Sequence, residues 1–78
     1  MTSGTIEERP LRPAERRRLV RKLMEMATLD AASFAIARAY GATVVANGDL
    51  LWRGEIDKAE FVARQDAALG EAVARLGA

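Results

Sequence analysis

The carboxylates Asp49, Glu55, Asp57, Glu60 and Asp66 are the side chains whose types come nearest to chemistry. Two carboxylates held close together divide acid and base roles, or grip a divalent cation with their oxygens. Here the spacing supports neither. Asp57 and Glu60 precede an apolar run in the order D-x-x-E, a helix capping box with Asp in place of Ser or Thr. The other acids lack the alternation of a calcium loop. The chain contains no histidine and no cysteine. That removes the commonest general base, the commonest transition-metal ligand, thiolate metal sites and disulfides. Ser3 and Ser33 have no imidazole to activate them, and no glycine motif for phosphates or a nucleophile elbow occurs. The expectation is a protein that is not an enzyme, with no catalytic, metal or cofactor-binding residue.

The stretch PLRPAERRRLVRK suggests a different chemistry. From Arg9 to Lys22 there are seven basic residues and one acid, Glu15. Arg16, Arg17, Arg18, Arg21 and Lys22 are the candidate phosphate-binding residues. Cations in such a row release counterions from DNA or RNA and bind with a strong salt dependence. The plainer reading is a solvated helix face. No aromatic is interleaved, which argues against a platform for stacking single strands. From Asp49 onward acids slightly outnumber bases, so the net charge of +1 conceals a lopsided chain.

The elements that must carry these groups are helices for the most part. Residues 1–12 read as a flexible arm, with Ser3, Gly4 and Pro10 and no periodicity. Residues 13–78 read as a single small helical domain. Pro13 suits the first position of a helix over 13–28. Leu19, Leu23 and Met26, with Val20, Met24 and Ala27 beside them, form its apolar face. Asp30 is a good N-cap for a second helix over 30–40, AASFAIARAY, apolar nearly all round. Its row Ala31, Ala35, Ala39 and Ala42 would let another backbone approach closely. Gly41 is its natural stop. A third helix over 57–76 starts at the capping box and carries the stripe Val62, Leu69, Val73 and Leu76, with Glu60–Arg64 and Glu71–Arg75 as pairs one turn apart.

Between the second and third helices lies TVVANGDLLWR. Read as the second half of a DNA-binding helix-turn-helix, it places Gly48 in mid-helix and offers few donors for base edges. Asn-Gly is the strongest two-residue hairpin signal, because both positions of a type I′ turn need positive φ. The preferred expectation is therefore a short β-hairpin over 43–53, ahead of a kinked helix running through.

Sixteen of the 78 residues are alanine, so the apolar half of the composition fills little volume. A core this thin, with no disulfide or thiolate metal site to staple it, calls for a second subunit or a partner. The fold expected is mainly α, with a dimeric or partner-completed core. Trp52, Phe34 and Tyr40 read first as core groups. With Leu51 they are also the candidate partner interface, since large aromatics are favoured at such anchors. The function expected is a small protein-interaction module, a regulator or inhibitor that docks on a larger protein, as a homodimer or alone. The alternative is a nucleic-acid-binding transcriptional regulator using the basic first helix. The build is that of small bacterial or phage-borne regulators, a likeness of build only. With no signal-peptide pattern at the start and no run apolar enough for a membrane span, a cytoplasmic location is expected.

Overall fold

The computed structural model describes residues 11–76 and consists of three helices: α1 (Pro13–Ala27), α2 (Ala31–Trp52) and α3 (Lys58–Leu76). Each packs against the other two. The arm expected over 1–12 lies outside the described residues, except at Leu11 and Arg12. Local signals account for most helix ends. Pro13 opens α1, where the Arg12 N–H donates to Glu15 Oε1 at 3.0 Å. Asp30 caps α2 through Oδ1, which accepts from the Ser33 N–H at 2.7 Å. Asp57 caps α3 by accepting from the Glu60 N–H at 2.8 Å. Each cap satisfies a backbone donor that the first turn leaves free. Glu60 does not reach back to complete a box; its carboxylate takes Arg64 instead, at 2.9 Å. Glu71 and Arg75 form no ion pair among the described residues.

The hairpin expected over 43–53 is not there, and the second helix does not stop at Gly41. α2 runs unbroken for 22 residues through both Gly41 and Asn47-Gly48. Among the described residues the only positive φ is at Gly54 (76°), so the signature of a type I′ turn is absent from Asn47 and Gly48. Two physical facts favour the helix. A lone two-stranded ribbon is marginal, whereas a helix pairs its backbone internally. In the helix, Asn47 also faces inward, 6% exposed, and its Nδ2 donates to Gln65 Oε1 of α3 at 2.9 Å. The turn occurs one step later. The Gly54 N–H donates to Leu51 O at 3.0 Å and the Glu55 N–H to Leu50 O at 2.9 Å. This is the paired closure of a Schellman motif around a left-handed glycine.

These placements predict opposite effects at two glycines. A Cβ added at Gly48 meets no atom within 4 Å. Gly48→Ala is therefore expected to raise stability by roughly 0.5–1 kcal/mol, as in any helix interior. Gly54→Ala is expected to lower it by roughly 1–2 kcal/mol, the cost of a Cβ in the left-handed region. Urea melts of the two variants check both signs; a destabilised Gly48→Ala would restore the hairpin.

The core is as thin as the composition implies. Leu23, Leu69 and Ala72 are its fully buried apolar groups, with Leu19, Val20, Ile36, Tyr40, Val73 and Leu76 packed around them. Three large groups expected inside lie outside: Met24 of α1, and Phe34 and Trp52 of α2.

Candidate interaction surface

Two polar braces fix how the helices present their outer faces. The first joins α3 to α1 and to Leu11, two residues ahead of it. Arg16 donates from Nε to Asp66 Oδ1 at 2.9 Å and from Nη2 to Asp66 Oδ2 at 3.1 Å. Asp66 Oδ2 also accepts from the Leu11 N–H at 2.9 Å, and Arg16 Nη2 donates to Leu11 O at 2.9 Å. The Asp66 side chain is 10% exposed. The Arg16 hydrogen bond, aided by the Leu11 N–H and the guanidinium charge, holds the Asp66 carboxyl below its usual range, although burial opposes this. The guanidinium of Arg16 is correspondingly held more firmly protonated. Beside them the Tyr40 hydroxyl is pushed up, first by burial and then by the Asp66 charge, with Arg16 opposing. The second brace is Asn47–Gln65, between α2 and α3. Nothing in the sequence marked Asp66 or Asn47 as structural. The partners of the first lie fifty and fifty-five residues away, beyond any local spacing rule.

Arg16 is thus paired within the protein and only partly exposed, which leaves it less available to a phosphate than the other four. Arg17, Arg18, Arg21 and Lys22 are exposed on α1, and none forms an ion pair among the described residues. They remain a solvated basic face. Of the four residues expected at a partner interface, Tyr40 and Leu51 turn inward and are half-buried, while Phe34 and Trp52 stand on the outside.

The outward face of α2 differs from the other two. α1 exposes four cations, and α3 exposes Lys58, Glu60, Arg64, Glu71 and Arg75. α2 exposes apolar surface: Trp52 is 89% exposed, Val45 73% and Phe34 55%. At 3.6 residues per turn these three lie within an arc of about 20°. Ala42 and Ala35 widen the stripe. The only exposed charges within α2 are Arg38 and Asp49, and they fall on the same stripe. Asp49 also takes Arg53 at 3.1 Å.

The clefts are small: the one between α2 and α3 encloses about 270 Å³. The groove between α1 and α3, lined by Val20, Tyr40, Phe61, Val62 and the Arg16–Asp66 pair, encloses about 240 Å³. That is below the usual range for a small-molecule site, and its charged pair is mutually satisfied. Among the described residues no three acids gather to hold a metal ion, and no helix is long and apolar enough to cross a membrane. Comparison with known proteins finds no matching family model, no curated relative and no solved structure that matches.

Proposed function

We propose that this protein is a non-enzymatic interaction module of the cytoplasm, a regulator or inhibitor that works by docking the outward face of α2 on another protein. The observation that carries the reading is the stripe Phe34, Val45 and Trp52. Three large apolar side chains stand in water on one face of one helix, while the core they would otherwise fill is short of large groups. Exposed apolar groups scattered singly are ordinary; three aligned on one helix face, with alanines beside them, point to a contact surface. An amphipathic helix laid against an apolar partner is a recurrent recognition mode. The charged faces of α1 and α3 would steer the encounter and keep the remaining surface soluble.

Nucleic-acid binding is the second reading, resting on the four exposed cations of α1. It is weakened by the pairing of Arg16 with Asp66, which leaves one cation fewer for phosphates.

One comparison separates the readings. The immobilised full chain, a Trp52→Ala/Val45→Glu double variant and an Arg17→Ala/Arg18→Ala double variant are exposed to the same cell extract and to a labelled random DNA duplex. All substituted positions are exposed, so, measured dilute enough for the chain to be monomeric, all three proteins are expected to melt alike. Docking through α2 predicts protein partners retained by the wild type and the arginine variant and lost by the Trp52/Val45 variant. An identical retained set for all three overturns it. Four phosphate contacts predict duplex binding that weakens by roughly two decades between about 50 and 200 mM salt and fails in the arginine variant.

A further inference from the structure

Resting on the reading of α2 as a docking face, we infer that in the free protein its occupant is a second copy of this chain, which a docked protein displaces, with the two α2 helices packed antiparallel across a two-fold axis. The argument lies in the order of residues along the stripe. A two-fold axis makes the same patch meet itself in reverse, so a self-pairing face must be complementary to its own reversal. Centre the axis between Thr43 and Val44. Arg38 then opposes Asp49 of the second copy, and Asp49 opposes its Arg38. Trp52 lies over Phe34 and Ala35 of the second copy, so the largest side chain lands beside one of the smallest. Val45 meets Ala42 near the axis, where the small residues let the backbones approach. Each exposed charge and each large apolar group of the stripe finds a suitable counterpart.

The two charges decide the direction. They sit about 16 Å apart along the helix, at 1.5 Å per residue. In a parallel pair Arg38 would meet Arg38 and Asp49 would meet Asp49, a double repulsion. In the antiparallel pair both contacts attract. Arg38 makes no ion pair among the described residues; Asp49 is 58% exposed, and its pairing with Arg53 is a solvent-exposed one that it can share with a second guanidinium. The size is adequate as well. Trp52 and Phe34 expose on the order of 300 Å² per copy, given what aromatic side chains bury. With Val45, Arg38 and the alanines the two copies together reach roughly the 1,000 Å² expected of a specific interface. The arrangement also answers the thin core: two α2 helices back to back are each covered on both sides.

Charge reversal gives the test. The full-length wild type is expected to sediment as a dimer at roughly 100 µM, well above a micromolar Kd. Arg38→Glu and Asp49→Arg should each weaken self-association at least about tenfold, since each puts two like-charge contacts in the symmetric pair. Mixed together, the two variants should form a heterodimer, because both cross-contacts then attract. Circular dichroism confirms that each variant is folded. Register is read by single cysteines in this cysteine-free chain. Val45→Cys should oxidise to a cross-linked dimer, and Ala35→Cys should not, as its mates lie far apart in the antiparallel pair. Equal cross-linking at both positions, or no rescue on mixing, overturns the inference. A monomer at all concentrations overturns self-pairing alone and leaves the docking face to the capture comparison. A dimer indifferent to Val45→Glu overturns both.

Discussion

Leu69→Ala is expected to cost about 3 kcal/mol and to bring the protein close to its unfolding midpoint in water. Removing a buried leucine forfeits its transfer energy and leaves a cavity, which together cost about 2–5 kcal/mol. Leu69 is 1% exposed, one of two large side chains buried to that degree, and it sits where α3 meets both other helices. A chain of this length has roughly 4–12 kcal/mol of total stability, and a core this small points to the lower end. With a urea m-value near 1 kcal/mol/M the midpoint should fall by about 2–3 M. The informative control is Trp52→Ala. In most small proteins the only tryptophan is the costlier loss. Here, measured dilute enough for the chain to be monomeric, it should shift stability by no more than about 0.5 kcal/mol. If the two variants lose stability equally, Trp52 is a core residue and α2 is rotated from the orientation described.

How far the sequence alone leads can be judged at particular residues. Pro13, Asp30 and Asp57 place the starts of all three helices, because capping is a local interaction between residues three apart. Leu23 and Leu69 are legible as core from periodicity. The course of α2 is not legible by the same means, since two local signals, Gly41 and Asn47-Gly48, both point to a break. Each costs a helix only about 1 kcal/mol, and packing against α1 and α3 outweighs it. A longer window would have found the answer. Ile36, Tyr40, Val44, Asn47 and Leu51 continue one helical face through both apparent breaks, and Gly54 supplies a true stop. Asn47 disguised that face, because its fitness for a buried position depends on Gln65, a partner eighteen residues away. The exposed position of Trp52 follows from the same correction. In a hairpin it would pair with Thr43; on a continuous helix it falls a whole number of turns from Phe34, on the side away from the core.

The exposed face of α2 is thus half legible in the sequence. The sequence showed that α2 is apolar nearly all round and that its alanine row permits close approach. It did not show which part of that apolar surface the chain keeps for itself. Burial divides the helix: Ile36, Tyr40, Asn47 and Leu51 go to the core, and Phe34, Ala42, Val45 and Trp52 are left over. The basic face shows the reverse. It was visible in full as a run of like charge, yet Arg16, at its start, is spent on a distant acid.

That acid makes the second large effect. Asp66→Asn is expected to cost about 2 kcal/mol near neutral pH and to change how stability depends on pH. The substitution keeps the size of the side chain and removes the charge that Arg16 and the Leu11 N–H are arranged to meet. Losing charge-assisted hydrogen bonds costs about 1.5–3 kcal/mol; the partial exposure of Arg16, at 35%, keeps the value from the top of that range. The sign follows from linkage. The folded Asp66 carboxyl lies below its ordinary value, with the Arg16 hydrogen bond the largest cause. Its stabilising contribution is therefore fully present above the unfolded pKa of about 3.9 and is lost as pH falls through the folded value. Tyr40 works in the opposite direction. Its folded pKa is raised, so its contribution is present below the unfolded value of about 10 and is lost as pH climbs through the folded one. Because the Asp66 charge is one cause of that rise, Asp66→Asn should act on both limbs. The gap between wild type and variant should narrow below about pH 4, and the alkaline loss of stability should be slightly smaller in the variant, because its Tyr40 pKa is raised less. Urea midpoints across the pH range, with Arg16→Gln and the double variant added, measure the coupling directly. The pair should account for most of the effect, with a coupling of about 1–2 kcal/mol between the two sites. A wild-type-to-variant gap that stays constant down to about pH 2 would show that Asp66 holds the helices by shape and not by charge.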